Sequence, residues 1–261
     1  MSIDPILAQA AAGPQVEIPP VWGQGRATFG GLQAAILLAR LQAVVPADRP
    51  LRSFSLSFVG PIAPGAVELK AELLRSGKSV TQAECRLLQN GEVQAVLLAS
   101  FGHGRPSQIS VPPRPAPVFA PVGQGRRLPY IPGVMPEFLQ QFDMEWAVGA
   151  LPYSGSDETD LGGWVRFSTP TGKPTVAHIA ALVDSWPPSV LGMYKAPAPN
   201  SSLTWTMELM ETELGDDGQA WWQYLAETDI AGNGYAHISA RLWRADGTLV
   251  AITRQTASIF I

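Results

Sequence analysis

The chain has 261 residues, of which 46% are hydrophobic and 15% are charged, and its formal net charge at pH 7 is −4. This composition excludes a chain that is disordered throughout, because it supplies enough apolar side chains for a substantial core. The acidic balance argues against a nucleic-acid partner, since a duplex binder needs a clustered basic surface.

Signals for membranes and secretion are also missing from the sequence. No run of 18 apolar residues occurs, and the N-terminal stretch MSIDPILAQAAAG has no basic region ahead of an apolar one. The single cysteine, Cys85, has no partner for an internal disulfide. Together these features predict a protein of the reducing cytoplasm without a membrane span.

The first half of the chain is predicted to hold one apolar helix followed by four strands. Gly30-Gly31 opens the helix, which reads LQAAILLARLQAVV and stops before Pro46. The strands read LRSFSLSFV, VELKAELLRSG, SVTQAECRLLQNG and EVQAVLLASFG, and Asn90-Gly91 between the last two is a strong hairpin signal. A helix that is apolar on nearly all sides is typical of one enclosed by a sheet.

A proline-rich stretch from His103 to Gly133 interrupts this pattern. It contains eight prolines, so little of it can be helix or interior strand, and it is predicted to be a semi-extended linker. We therefore expect an N-terminal domain over residues 1–105, a linker over 106–133 and a C-terminal domain over 134–261.

The second half repeats the order of the first. Its helix, TVAHIAALVDSW, is stopped by two prolines and is followed by the strands SSLTWTMELM, AWWQYLAETDIAG, YAHISARLWRADG and TLVAITRQTASIF. SFSLSF matches SLTWTM at an offset of 149 residues (Ser53 to Ser202), and the hairpin turns match at an offset of 156 (Gly91 to Gly247). This duplication predicts two tandem α+β domains, each an antiparallel sheet wrapped around a long apolar helix.

Two polar residues stand out in the second half. Asp184 is the one acid of an apolar helix, three residues before Pro187, where the negative helix end disfavours a carboxylate. Gln255 lies on a mostly apolar strand face that should meet the helix, and its equivalent in the first half is Ala99. The ordinary alternatives are a solvated helix end for Asp184 and a glutamine bonded to loose backbone groups. As a pair, a carboxylate base and an amide are suited to holding a hydrolytic water.

Three segments, TFGGLQAAILLA, ALVDSW and RLWRADGTLVAITRQ, together resemble the TesB-like acyl-CoA thioesterases, a double-hotdog family that includes bacterial acyl-CoA thioesterase II. The resemblance spans residues 20–105 and 160–261. It implies hydrolysis of an acyl-CoA thioester by a water that an Asp, a Gln and a Ser or Thr orient. By position these are Asp184, Gln255 and Ser202, or Thr204 if the match shifts by two residues on the same strand face. Family members commonly associate further, and sheet edges stay exposed, so a homodimer is expected.

The start of the first helix is a second candidate element of the site. Backbone N–H groups at Gly30-Gly31 are natural donors to a carbonyl or oxyanion, although a tight turn with close helix packing explains the same residues. No cofactor or metal is expected, since His103, His178 and His237 lack metal-ligand spacing.

Two other functions stay open from the sequence. Hotdog hydratases and dehydratases pair an acid with a histidine, and the histidine nearest to Asp184 is His178, six residues back on a different helical face. A non-catalytic acyl-CoA binding protein would share the fold without the chemistry. The pairing of Asp184 with Gln255 is the feature that argues against it.

Overall fold

The computed structural model, which describes residues 1–260, contains two halves that repeat one arrangement of a helix and antiparallel strands. The elements of the first half are α1 (Asp4–Ala12), β1 (Gln15–Ile18), β2 (Gly23–Gln24), β3 (Ala27–Thr28), α2 (Gly30–Val44), β4 (Leu51–Phe58), β5 (Gly65–Ser76), β6 (Val80–Gln89) and β7 (Glu92–Gly102). Those of the second half are β8 (Phe142–Val148), β9 (Asp160–Phe167), α3 (Val176–Asp184), β10 (Asn200–Leu209), β11 (Trp222–Gly232), β12 (Tyr235–Arg244) and β13 (Leu249–Ile259).

One antiparallel sheet runs through both halves. Its strand order within residues 1–260 is β1-β5-β6-β7-β4-β10-β13-β12-β11-β9-β8. β4 pairs with β10 at the centre, where Trp205 lies opposite Leu56, so the sheets of the two halves join side by side. The helices α2 and α3 pack against each other and against the sheet. This confirms the predicted α+β class and the double hotdog architecture.

The two central helices are enclosed, as their apolar sequences predict. Residues 31–39 of α2 and residues 176–183 of α3 are all buried. The helices differ in length, because α2 has 15 residues and α3 has nine. The early end of α3 leaves Asp184 as its last residue, beside the start of α2.

Strand pairing corrects one detail of the internal repeat. Ser53 lies opposite Ser100 and Thr204 lies opposite Thr256, so the structural equivalent of Ser53 is Thr204 and not Ser202. The sequence match is therefore displaced by two residues. In a regular strand, a displacement of two residues preserves the alternation of inward and outward side chains, which is why the pattern alone does not reveal it.

The proline-rich segment lies against the outer face of the second half of the sheet. The Trp164 Nε1–H donates to the Ala120 carbonyl over 2.9 Å, and the Trp243 Nε1–H donates to that of Arg114 over 3.3 Å. Farther along, Arg127 forms an ion pair with Glu145, whose side chain is fully buried. This ion pair anchors the end of the proline-rich segment to β8.

Every helix in residues 1–260 is too short or too polar to cross a lipid bilayer.

Candidate active site

Asp184 occupies the C-terminal end of α3. Ser185 closes the helix by donating from both its backbone N–H and its hydroxyl to the Leu182 carbonyl, and Pro187 follows. A proline there disfavours continuation of the helix. The half-buried Asp184 side chain is thus held at the junction of the two halves.

Gln255 is the direct partner of this carboxylate. It lies on β13 opposite Trp205 on one side and Ile238 on the other, with its side chain on the inner face of the sheet. Its Nε2 donates to Asp184 Oδ1 over 2.9 Å. Two residues that are 71 positions apart, each unusual within its own apolar pattern, therefore meet in one site.

The start of α2 completes the surroundings of the carboxylate. A Cβ atom placed on Gly30 would lie 2.9 Å from Asp184 Oδ2, and one on Gly31 would lie 3.0 Å from Asp184 Cβ. A side chain at either position would have to displace its neighbours, which are Asp184 at Gly30 and the Phe29 ring together with Asp184 at Gly31. The N-cap residue, Phe29, provides no side-chain cap, and the Gly31 backbone N–H is a hydrogen-bond donor to Asp184.

Burial raises the pKa of Asp184 to about 7, against the opposing effect of hydrogen bonds from Gln255 and Gly31. Desolvation disfavours the charged carboxylate, and no cation is among the groups that act on its pKa. A base whose pKa is close to the working pH is present to a substantial extent in its charged form and is still basic enough to accept a proton from water.

A small cavity lies beside the Asp184–Gln255 pair. Its volume is about 20 Å³, which is room for one water molecule. It is lined by Val183, Asp184, Trp186, Pro187, Pro188, Trp205, Tyr224, Ile238, Ala240, Thr253 and Gln255. A larger groove of about 660 Å³ includes Trp164 and Gln223. Gln223 and Tyr224 are adjacent on β11, so the groove lies on the opposite face of the sheet from Asp184.

The two predicted hydroxyl residues do not share a strand face. A β-bulge separates Ser202 from Thr204. Ser202 is half-buried opposite the inward-facing Ala257, whereas Thr204 is exposed and precedes the inward-facing Trp205. The bulge adds one residue to the strand and so reverses the expected i, i+2 relation. Ser202 stays on the face of Gln255, and Thr204 lies on the outer face.

Two hydroxyl groups in the cavity lie outside the sequence-predicted set. The Thr253 hydroxyl donates to the Thr206 carbonyl over 2.7 Å and accepts from the Trp205 indole. Tyr224 projects from β11 toward the inner face of the sheet. In the sequence, only its position two residues after Trp222 indicates that it faces inward. An aromatic residue on a buried strand face reads as core, so this signal does not indicate chemistry.

His178 is engaged at the other end of α3. Its Nδ1 accepts from the Thr175 backbone N–H over 3.1 Å, and its Nε2 lies 2.8 Å from Asp4 Oδ1. Thr175 and His178 together form a capping box at the helix start. The structure therefore does not bring His178 to Asp184 as an acid–histidine pair.

No group of three or more His, Cys, Asp or Glu side chains within residues 1–260 is arranged to hold a metal ion. Cys85 is buried, and burial raises the pKa of its thiol to about 12. This describes an inert core residue rather than a nucleophile.

Comparison with known proteins gives matches over both halves. A domain model described as acyl-CoA thioesterase N-terminal domain matches residues 18–102, and the corresponding C-terminal domain model matches residues 111–259. No curated protein matches the sequence.

Several solved structures share the fold across nearly the whole chain. A hot dog fold protein of unknown function from Alicyclobacillus acidocaldarius is 21% identical, with a TM-score of 0.86 and coverage of 98% of each chain. A putative thioesterase II from Thermobifida fusca is 21% identical, with a TM-score of 0.82 over 98% of this chain and 97% of the other. The acyl-CoA thioesterase II TesB2 of Mycobacterium marinum is 20% identical, with a TM-score of 0.73 over 94% and 91%.

Proposed function

The chain belongs to the acyl-CoA thioesterase family, and we propose that it hydrolyses an acyl-CoA thioester with a water molecule bound between Asp184 and Gln255. The observation that carries this proposal is the contact between the partly buried carboxylate of Asp184 and the inward-facing amide of Gln255, beside a cavity of about 20 Å³. Such a cavity accommodates one water and no acyl chain.

Asp184 acts as the general base in the proposed reaction. Its carboxylate takes a proton from the water as the water oxygen attacks the thioester carbonyl carbon. The tetrahedral intermediate then collapses, the carbon–sulfur bond breaks, and the departing thiolate receives the proton that Asp184 holds. The products are the free acid and the CoA thiol, and Asp184 returns to its charged form.

Direct attack by Asp184 on the thioester, with a transient anhydride, is the alternative path for a carboxylate. The packing favours the base role, because Oδ1 already accepts from Gln255 and Oδ2 lies against Gly30. Both carboxylate oxygens thus contact other protein groups, which disfavours their direct attack on a substrate. The adjoining cavity, in contrast, has the size of a water molecule.

The proposal also concerns Gly30, Gly31 and Ser202. We propose that the thioester carbonyl approaches the start of α2, where the positive end of the helix and the backbone at Gly30-Gly31 stabilise negative charge. Ser202 lies on the inner face opposite Ala257, which is two residues along β13 from Gln255, and is proposed to contact substrate at the rim of the site. Thr204 is not assigned a role, because it faces outward.

The decisive experiment is thiol release from a panel of acyl-CoAs by the wild-type chain and by Asp184→Asn. The variant keeps the shape of the side chain but removes the base, so its turnover should fall by about 10²- to 10⁴-fold. A folded variant that retains most of the wild-type rate would contradict the mechanism. Tight acyl-CoA binding without thiol release by the wild type would instead indicate a binding protein.

A homodimer is proposed as the working assembly. The outer strands β1 and β8 leave sheet edges with unpaired backbone groups, which favour association. Light scattering should give about twice the chain mass of 27.9 kDa at micromolar concentration. A constant mass near that of one chain would rule the dimer out.

A further inference from the structure

Tyr224 is held rigidly in the wall of the cavity beside Asp184. The residue is 6% exposed, and its ring stacks on Trp186 with centroids 5.4 Å apart and planes 5° from parallel. Trp186 in turn packs on Trp146 at 4.7 Å. This packing fixes the ring, so the direction of the hydroxyl is set before any ligand enters.

The Tyr224 hydroxyl makes no hydrogen bond to another group within residues 1–260, and it is not among the fully enclosed polar atoms that lack a partner, so its oxygen is accessible at the cavity surface. Burial, and next the charge of Asp184, raise the pKa of the phenol, so it is a neutral donor across the working pH range. The group lines the same cavity as Asp184 and Gln255.

The other hydroxyl in the cavity is already committed. Thr253 donates its proton to the Thr206 carbonyl and accepts from Trp205. Neither Ser202 nor Thr204 lines the cavity. Tyr224 is consequently the hydroxyl there with a proton free for a ligand.

A water molecule in this cavity has two protons and two lone pairs to place. One proton goes to the Asp184 carboxylate. The other would go to Gln255 Oε1, because Nε2, which donates to Asp184, cannot accept a hydrogen bond. A hydroxyl donor on one lone pair would leave the last lone pair for the carbonyl carbon.

We infer that the Tyr224 hydroxyl is this donor: a third, catalytic contact of the hydrolytic water that fixes its attacking lone pair. The inference rests on the proposed function of Asp184 and Gln255. It assigns the hydroxyl contact to β11 rather than to β10.

The test is Tyr224→Phe, which keeps the ring and its stacking and removes one oxygen atom. We expect kcat to fall by about 10- to 100-fold, with KM changed less than about twofold, because positioning of the water affects the chemical step. The melting temperature should stay the same or rise, since no hydrogen bond is lost on removing an unpaired hydroxyl. Tyr235→Phe is the matched control, because Tyr235 lies half-exposed on β12.

Two further arms separate the possible failures. In the Asp184→Asn background, adding Tyr224→Phe should cause no further loss, because both residues act on one water. If Tyr224→Phe retains the wild-type kcat while Asp184→Asn is inactive, the role of Tyr224 is wrong and the function stands. If Asp184→Asn is fully active, the proposed role of Asp184 as the base fails, and the inference about Tyr224 fails with it. A lower melting temperature of Tyr224→Phe with proportionate loss of active protein would assign the hydroxyl a structural role and overturn the inference.

Discussion

The two halves of the molecule share their packing and differ in polarity at matching positions. Strand pairing equates Gln255 with Ala99, Thr253 with Leu97 and Tyr224 with Leu69. The first half thus fills with apolar side chains the positions where the second half carries an amide and two hydroxyls. Packing of a core requires only apolar side chains of suitable size. Both copies of the duplicated fold can therefore keep a core while only one of them carries a polar site.

The two halves also differ in how the N-terminal ends of their central helices are capped. α3 caps itself with Thr175 and His178, and His178 is further bonded to Asp4. α2 begins at Phe29-Gly30 with no side-chain cap, and the group in front of it is Asp184 from the other half. An uncapped helix start attracts negative charge. The polar site is therefore built across the join, from the end of α3, the start of α2 and the strand β13.

After replacement of Asp184, replacement of Gln255 should have the largest effect on activity among the tests of the difference between the two halves. Gln255→Ala gives the second half the side chain that the first half has at Ala99, and turnover should fall by about 10- to 100-fold, since the proposed hydrolytic water loses one of its contacts. Combined with Asp184→Asn the losses should be far from additive. Thiol release by the purified variants measures both effects.

Ala99→Ser is the matched control on the first half. It introduces a polar group at the equivalent position, away from Asp184, and activity per folded molecule should be unchanged. If Ala99→Ser lowers turnover as much as Gln255→Ala, the two halves contribute equally and the asymmetry has no catalytic meaning.

Close approach at the start of α2 gives a second, smaller effect. In Gly30→Ala the new methyl group would lie 2.9 Å from Asp184 Oδ2 and 3.2 Å from the Phe58 ring, so the carboxylate must move. Displacement of a reacting group by a fraction of an ångström should lower kcat by about tenfold. Gly13→Ala is the control, because that position has open space around it and an extended backbone. Equal activities of Gly30→Ala and the wild type would show that Asp184 does not depend on this contact.

The sequence predicted the parts of this site that break a pattern and missed those that conform to one. Asp184 and Gln255 each interrupt an apolar surface, and the sequence predicted that they act as a pair, although not that they bond directly to each other. The inward-facing Tyr224 fits an ordinary core strand, so nothing in the local pattern marks it. The bulge between Ser202 and Thr204 is set by pairing with β13, which a single strand does not encode. The helix α1 and the strands β1, β8 and β9 also lie outside the predicted elements. Two of these strands depend on partners distant in the chain, since β1 pairs with β5 and β9 pairs with β11.

The pH dependence of stability provides the finest test, because it isolates the cost of keeping Asp184 buried. The pKa of Asp184 rises from its usual 3.8 to about 7 on folding. Between these values the folded chain holds a proton that the unfolded chain releases, so the free energy of unfolding falls as pH rises from about 4 to 7. Asp184→Asn lacks this contribution, and its advantage in melting temperature over the wild type should grow with pH and level off above 7. Activity of the wild type should increase over the upper part of the same range, since the base works in its charged form.

Thermal melts of the wild type, Asp184→Asn and Asp157→Asn at pH 5 and pH 8 measure this difference. Asp157 is exposed, so its replacement removes one carboxylate without removing a buried one and should not reproduce the growing advantage. If the melting temperatures of the wild type and Asp184→Asn differ by the same amount at both pH values, Asp184 does not bind its proton in this range. The carboxylate would then be solvated as an ordinary surface acid, and the second half would hold no buried base for the first half to lack.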